Sequence, residues 1–138
     1  MSESGEEYLE ALWCLRESGD TLCRIKDIAQ LLDVQPPSAV EMLKKLEKNG
    51  FVTYRRQKGI VLTEKGETKA RHIVRAHRLM EVLLNRVIHI DRRDIEEIAC
   101  SCEHSISKEV AAKLCTFLDH PRECPHGNSI PKGECCPE

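Results

Sequence analysis

The chain has 138 residues, of which 41% are hydrophobic and 32% are charged, so its length and composition allow one or two small domains with an apolar core. It has no apolar run long enough to span a bilayer, and its acidic start lacks the pattern of a signal peptide. We therefore expect a cytoplasmic protein without membrane contact, whose eight cysteines are reduced or bind metal. The formal net charge is −2, but residues 21–71 alone carry eleven Lys and Arg against six Asp and Glu. Such a basic segment is typical of a phosphate-binding surface and also of an ordinary solvated basic face.

The first half of the chain predicts three helices and a hairpin. Residues 5–17 and 25–32 carry apolar side chains at helical spacing. Pro36 and Pro37 open a third helix, because proline is tolerated in a first turn, and an Asn-Gly pair ends it. Two short β-rich runs then flank a turn that contains Gly59.

This element order is that of a winged helix-turn-helix, whose third helix would enter the major groove with its N-terminal residues leading. Polar side chains there would reach base edges, and the long cations nearby suit phosphate contacts. Many winged helices bind proteins instead, and here the positive segment favours double-stranded DNA. The predicted DNA-binding residues are Arg24, Gln35, Pro37, Ser38, Glu41, Lys44, Lys45, Arg55, Arg56 and Lys58.

The second half predicts three more helices and, from His120 onward, an irregular segment. The helices cover about residues 63–88, 94–105 and 107–118, and Thr63 is suited to cap the first of them. An apolar stripe on the last two is larger than one thin helical layer would bury, so we predict that it forms a dimer surface together with the end of the fourth helix. The members of the stripe are Ile95, Ala99, Cys102, Ile106, Val110 and Leu114.

The fifth predicted helix carries a cluster of metal-binding residue types. Cys100, Glu103 and His104 lie at i, i+3 and i+4, so they share one face, and Glu96 extends that face by a turn. A thiolate, a carboxylate and an imidazole on one patch are typical of a site for a first-row transition metal.

Two other pairs have the spacing to complete such a site. His77 and Glu81 are at i and i+4 in the fourth helix, and Glu7 and Glu10 are at i and i+3 in the first. Each pair also has a plainer interpretation. His77 fits an apolar series and would suit a core position, and the two N-terminal glutamates would suit a solvated face.

The last third of the chain adds four cysteines, Cys115, Cys124, Cys135 and Cys136. Four thiols are able to hold Zn²⁺ or an iron–sulfur cluster. Adjacent cysteines, however, are poorly spaced for two tetrahedral ligands, and Cys115 would suit the core of the sixth helix. The alternative is a loop with reduced thiols.

Six stretches of the sequence together resemble one protein family. They are EEYLEALW at 6–13, DIAQLLDVQPPSAVEMLKKLEKNGFV at 27–52, GIVLTEKGE at 59–67, AHRLMEVLL at 76–84, CSCEHSIS at 100–107 and HPRECPHGNSIP at 120–131. With them the chain resembles the metal-dependent transcriptional regulators of the diphtheria-toxin-repressor and manganese-transport-regulator family.

The resemblance implies a mainly α-helical fold, in a short form without the family's SH3-like domain. It implies a winged helix-turn-helix at 1–71, a helical metal-binding and dimerisation domain at 72–119, and a Cys/Pro-rich tail at 120–138. It also implies a repressor that binds operator DNA as a homodimer when Fe²⁺ or Mn²⁺ is bound.

The resemblance also assigns metal ligands. His77, Cys100, Glu103 and His104 match family ligand positions. A cysteine at position 100 resembles the iron branch, and a thiolate tilts the site away from manganese, so iron is favoured. Four glutamates are less uniform: Glu10 matches a ligand of the manganese branch, Glu81 matches an ancillary ligand of the iron branch, Glu7 stands where the family has Met or Asp, and Glu96 stands where the iron branch has His.

Two other functions fit parts of the same sequence. A redox or iron–sulfur sensor would use the cysteine-rich end and keep the same DNA-binding half. A small metalloenzyme would use the Cys/His/Glu site, but the sequence offers no nucleophile with a paired base, and the winged helix would then be unexplained.

Overall fold

The computed structural model describes residues 1–19 and 22–137 and divides into two compact units, Met1–Arg71 and His72–Glu138. The predicted class is confirmed: the chain is mainly helical, with a winged helix-turn-helix followed by a helical unit. The Cys/Pro-rich segment belongs to the second unit. Within the described residues, no helix is both long enough and apolar enough to cross a membrane.

The N-terminal unit has the predicted element order, three helices followed by an antiparallel hairpin in which Val52 pairs with Leu62. Its core is apolar, and Leu9, Ile28 and Ala39 are completely buried. The elements are α1 (Glu3–Glu17), α2 (Ile25–Leu32), α3 (Pro36–Lys48), β1 (Val52–Arg55) and β2 (Gly59–Leu62).

The turn between α2 and α3 is tight because Asp33 takes the left-handed conformation, with φ of 53°. The backbone amide of Val34 then donates to the carbonyl of Ala29 at 2.9 Å, which closes the end of α2. Asp is one of the few residues that tolerate this conformation, so the helix-turn-helix geometry is encoded locally.

Gly59 is required beside the turn of the β1–β2 hairpin, which is the wing of the winged helix-turn-helix, for two reasons. Its φ is 71°, and a Cβ atom built on it would collide with the carbonyl oxygen of Cys23. The close approach arises because Cys23 forms a bridge with the wing: its amide donates to the carbonyl of Lys58 at 3.0 Å, and its carbonyl accepts from the amide of Ile60 at 2.9 Å. These bonds tie the wing to the residues that precede α2.

The C-terminal unit is built on a long helix whose start is capped by Thr63, as predicted, through a 3.1 Å bond from the amide of Gly66. The helix ends near residue 88, as predicted, but after Val82 its hydrogen bonding changes from the α-helical to the π-helical pattern, over Leu83–Val87. The α-helices are α4 (Glu64–Val82), which crosses the boundary between the units, α5 (Ile95–Glu103) and α6 (Lys108–Phe117).

The segment after α6 is irregular, as predicted, but it is packed. Two buried arginines of α4 bond to its carbonyls: Arg75 Nε donates to Pro131 at 3.1 Å, and Arg78 donates to Ser129 at 2.6 Å. Cys124 and Ile130 are buried in the same core cluster as α4 and α6. The segment is therefore an integral part of the unit.

The apolar stripe predicted to form a dimer surface is mostly used within the chain itself. Ile95 and Ala99 are fully buried with Leu84 in one small core, and Ile106 is buried in another. Cys102 is only half-buried, because the buried face of α5 continues from Ala99 to Glu103, one turn later. Of the predicted set, Val110 is exposed.

Candidate DNA interface and metal centre

The start of α3 presents side chains, and not backbone amides, to its surroundings. Gln35, Pro37, Ser38 and Glu41 are all exposed. Pro36 and Pro37 have no amide hydrogen, and the Ser38 amide already donates to the carbonyl of Gln35 at 3.0 Å. The first turn therefore needs no cap, and polar contacts to a partner at this helix end must come from side chains.

The predicted phosphate-binding cations are all exposed and lie on three elements of the N-terminal unit. Arg24 precedes α2, and its amide donates to the carboxylate of Asp27 at 2.9 Å. The other cations lie on α3 and at the tip of the hairpin, where the amide of Lys58 donates to the carbonyl of Arg55 at 3.2 Å. These cations are Arg24, Lys44, Lys45, Arg55, Arg56 and Lys58.

In the C-terminal unit, the most unusual side chain is Glu103, at the end of α5. It is 1% exposed, and its two oxygens lie 3.0 Å from Nδ1 of His77 and 3.4 Å from Nε2 of His104. These distances suit ion pairs, but within the described residues neither oxygen makes a hydrogen bond of acceptable geometry. A buried carboxylate in this state is costly, and a cation shared with the two imidazoles would remove that cost.

His77 extends this arrangement toward two more carboxylates. Its Nε2 lies 3.5 Å from Glu81 and 3.3 Å from Glu96. The hydrogen bond with His77 lowers the pKa of Glu96 to about 2, whereas burial raises the pKa of Glu81, which is only 1% exposed. A cation at this point would offset the cost of ionising Glu81.

Glu81 also lies near His126, which was not among the predicted ligands, and near Cys124, which was predicted to belong to a separate group. The second oxygen of Glu81 lies 2.7 Å from Nδ1 of His126, and Cys124 offers a thiol within 4.8 Å of both. Nε2 of His126 lies 2.8 Å from the carbonyl of Arg92, so Nε2 donates to that carbonyl, and Nδ1 is the ring nitrogen that faces Glu81. A histidine that donates to a carbonyl through its other nitrogen is typical of metal ligands. The Cys-Pro-His spacing at 124–126 was the signal in the sequence.

Cys100 and His104 lie one turn apart, with ligand atoms within 4.8 Å of each other. His104 follows the last residue of α5, so the predicted helix was one or two residues too long at this end. Together the C-terminal unit holds a continuous series of ligand atoms, which we call the ligand row. Its members are His77, Glu81, Glu96, Cys100, Glu103, His104, Cys124 and His126.

Two groups of residues that were predicted to bind metal lie outside the ligand row, wholly or in part. Glu7 and Glu10 lie on one face of α1, in the N-terminal unit. The four cysteines of the last third do not form one group, because Cys124 lies beside Glu81, and His120 takes its place near the other three. The spacing of residues in the sequence does not predict that His120 takes the place of Cys124, because this arrangement depends on how the terminal segment folds.

Comparison with known proteins gives the same division of the chain. The N-terminal DNA-binding domain of the iron-dependent repressors matches residues 1–60, and their metal-binding and dimerisation domain matches residues 63–132. An uncharacterised helix-turn-helix transcriptional regulator of Methanocaldococcus jannaschii is 33% identical over 119 residues, which cover 86% of this chain and 95% of that protein.

Two better described proteins are also similar. The iron-dependent repressor IdeR of Mycobacterium tuberculosis is 34% identical over 129 residues, 94% of this chain but only 56% of IdeR. The structure of the manganese regulator SloR matches with a TM-score of 0.83 and 36% identity, over 96% of this chain and 61% of that one. The chain thus spans little more than half the length of these relatives. It belongs to the iron-dependent repressor family and carries that family's DNA-binding domain and its metal-binding and dimerisation domain.

Proposed function

We propose that this protein is a cytoplasmic repressor that binds operator DNA as a homodimer when a divalent metal fills the ligand row. The observation that carries the proposal is Glu103, a buried carboxylate that lies between two imidazoles without a hydrogen bond of acceptable geometry among the described residues. Apolar packing and hydrogen bonding leave this side chain unexplained, and metal binding explains it. The protein acts as a regulator and not as an enzyme.

The proposed ligands combine nitrogen, oxygen and sulfur. In the C-terminal unit they are His77, Glu81, Cys100, Glu103 and His104, and Cys124 with His126 offers a further position that shares Glu81. The thiolate of Cys100 favours Fe²⁺ over Mn²⁺, which prefers oxygen ligands. Glu7 and Glu10 remain proposed ligands on the strength of the sequence alone.

On the DNA side, Gln35 and Ser38 would face base edges, Pro37 would offer an apolar contact, and Glu41 would follow on the same helix. The cations of α3 and of the hairpin would contact phosphates, which supply affinity without reading the sequence. A two-fold dimer would present two such helices to a pseudo-palindromic operator.

The dimer surface that we propose differs from the stripe predicted by the sequence. Val110 and Phe117 are 51% and 69% exposed and lie two turns apart on one face of α6, and Ile98 of α5 is 39% exposed. Large apolar side chains on two helices of a dimerisation domain are suited to contact a second copy.

The function is tested by measuring operator affinity without oxygen, for metal-free protein and with Fe²⁺, Mn²⁺, Zn²⁺ or Co²⁺. We expect the tightest binding with Fe²⁺, at two chains per operator, and we expect His104→Ala to lose the response to metal. His89→Asn is the matched control, since His89 is exposed and its φ of 64° is tolerated by Asn. An unchanged metal response in His104→Ala would reject the proposal.

A further inference from the structure

A second set of metal-binding side chains lies in the C-terminal unit and shares no residue with the ligand row. Its members are Cys115, His120, Cys135 and Cys136, and their four ligand atoms all lie within 4.8 Å of one another. We call this set the cysteine cluster. Cys115, on α6, is 1% exposed, and the other three residues are half-buried.

Three of the distances within the cysteine cluster are close to those of a tetrahedron around one small ion, and the other three are no longer than 4.8 Å. The Cys115 sulfur lies 3.4 Å from Nδ1 of His120 and 3.6 Å from the Cys136 sulfur, and the Cys135 and Cys136 sulfurs are 4.0 Å apart. Zinc bonds of about 2.3 Å to sulfur and about 2.0–2.1 Å to nitrogen place tetrahedral ligands roughly 3.8 Å apart for two sulfurs and roughly 3.5 Å apart for sulfur and nitrogen. The observed spacings agree with both values.

The backbone holds His120 next to Cys115 at a conformational cost. The amide of His120 donates to the carbonyl of Cys115 at 2.8 Å, and that of Asp119 donates to Thr116 at 3.1 Å, so α6 ends in a Schellman motif. Asp119 and His120 have φ values of 62° and 51°, two consecutive left-handed residues without a glycine. Each costs on the order of 1 kcal/mol, and such strain is concentrated at functional sites.

The two adjacent cysteines are brought together by a turn. The amide of Cys136 donates to the carbonyl of Gly133 at 3.1 Å, and this turn brings both sulfurs to the same side. Gly133 itself packs against the guanidinium of Arg75, 2.6 Å from where a Cβ atom would stand. Cys135 and Cys136 are therefore able to bind the same ion, although they are adjacent in the sequence.

Arg75 supplies the charge that a thiolate-rich site needs. It is 6% exposed, and its Nη2 lies 3.1 Å from the Cys135 sulfur and 3.9 Å from the Cys136 sulfur. A divalent ion with three thiolates and a neutral imidazole has a net charge of −1, which the guanidinium of Arg75 neutralises in the buried interior.

We propose that the cysteine cluster binds one Zn²⁺ in a closed Cys₃His site that fastens the terminal segment to α6. All four positions are filled by protein atoms, which is typical of structural zinc sites and leaves none open for a substrate. An iron–sulfur cluster is a poorer fit, since thiolates on different irons stand further apart than ligands of a single ion. The proposal is independent of which metal the ligand row binds.

The test uses Co²⁺ as a spectroscopic probe of thiolate ligation. The full chain carries Cys100→Ala and Cys124→Ala, which remove the thiols of the ligand row, and it is stripped of metal under reducing conditions without oxygen. We expect one equivalent of Co²⁺ to give the intense absorption of tetrahedral cobalt–thiolate coordination and to be displaced by Zn²⁺. Adding Cys136→Ser should abolish this absorption or weaken it severalfold, and adding His120→Ala should weaken Zn²⁺ binding at least tenfold.

Cys136 is changed to Ser because it is half-buried, whereas Ser in place of Cys115, which is 1% exposed, would bury a hydroxyl group. Cys124 is also buried, and it is therefore changed to apolar Ala. Cys14→Ser, in α1, is the matched control and should leave the absorption unchanged. The proposal is wrong if the Cys100→Ala/Cys124→Ala protein gives no cobalt–thiolate absorption, or if that absorption survives Cys136→Ser. It is also wrong if protein purified without oxygen carries an iron–sulfur chromophore that Cys136→Ser abolishes.

Discussion

The two units of this protein bury different kinds of side chain. The core of the N-terminal unit is apolar, and the one charged side chain recorded as buried there, among the described residues, is Glu6, which pairs with Lys69 at 3.2 Å. The C-terminal unit is of similar size but buries five polar or charged residues among its described positions. They are Arg75, His77, Arg78, Glu81 and Glu103.

We infer from this difference that packing stabilises the N-terminal unit, whereas the C-terminal unit would need the proposed metal ion to stabilise its buried carboxylates. Buried arginines are satisfied here by backbone carbonyls of the terminal segment. Buried carboxylates beside imidazoles are not satisfied in the same way, and their desolvation costs several kcal/mol if nothing offsets it. We therefore expect metal to govern the stability of the C-terminal unit and to leave the N-terminal core unaffected.

The largest expected effect is on the apolar core. Ile28 is completely buried, so Ile28→Ala should lower the free energy of unfolding by about 2–5 kcal/mol through lost burial and a cavity. Denaturant unfolding should give the same loss with and without metal, because this core contains no ligand. Leu31→Ala, at a position of the same helix that is 52% exposed, is the matched control and should cost about 1 kcal/mol or less. If the loss of unfolding free energy in Ile28→Ala depended on metal, the N-terminal core would not be independent of metal binding.

Removing metal should have the next largest effect, and this effect should be greatest in the C-terminal unit, which holds the ligand row. A ligand at a hundred times its Kd stabilises the state that binds it by about 2.7 kcal/mol, so chelation should speed amide hydrogen exchange about 100-fold. Mass spectrometry should detect this in α5, Ile95–Glu103, and no change in α2, Ile25–Leu32. If chelation accelerated amide hydrogen exchange equally in α5 and α2, the effect of metal would not differ between the two units.

A smaller effect, of opposite sign, is expected for Glu81→Gln in metal-free protein. Burial raises the pKa of Glu81 above its ordinary 4.5. Stability from this group is therefore complete below pH 4.5 and is lost as pH rises through the raised pKa. Because Gln carries no charge, metal-free Glu81→Gln should be more stable than the original protein at pH 7, by on the order of 1 kcal/mol.

Denaturant unfolding at pH 4.5 and pH 7, with chelator present, measures this gain. The same variant should bind metal more weakly, since it lacks a proposed ligand. Glu97→Gln, at an exposed position of the same charge on α5, should alter neither property. If the metal-free variant were no more stable than the original at pH 7, burial of the Glu81 charge would not be costly.

The smallest effect concerns the surface of the N-terminal unit. Arg56→Ala should weaken binding to all DNA sequences about equally and lower the slope of log K against log salt by about 1, because one phosphate contact is lost. Gln35→Ala should instead change the preferred operator sequence. Lys113→Ala removes an exposed positive charge from α6 and should change neither. A changed operator preference in Arg56→Ala would refute its assignment to phosphate.

The sequence alone determined the features that depend on neighbours a few residues apart. Apolar spacing and local caps fixed α2 and α3, the Thr63 cap and the turn at Gly59, since helix and hairpin signals are short-range. Helical spacing likewise placed Cys100, Glu103 and His104 on neighbouring positions of one helix end. The family motifs pointed to His77 and Glu81, but not to what surrounds them.

Only the tertiary structure decided which distant residues meet. His126 and Cys124 lie beside Glu81, and His120 replaces Cys124 in the cysteine cluster, because buried arginines of α4 bond to the terminal segment and fix its path. The apolar stripe of α5 and α6 was predicted to form a dimer surface, although most of it is buried within the chain. The spacing of residues shows which of them share a helix face, but it does not show what covers that face. That depends on contacts between residues far apart in the chain, which no local pattern specifies.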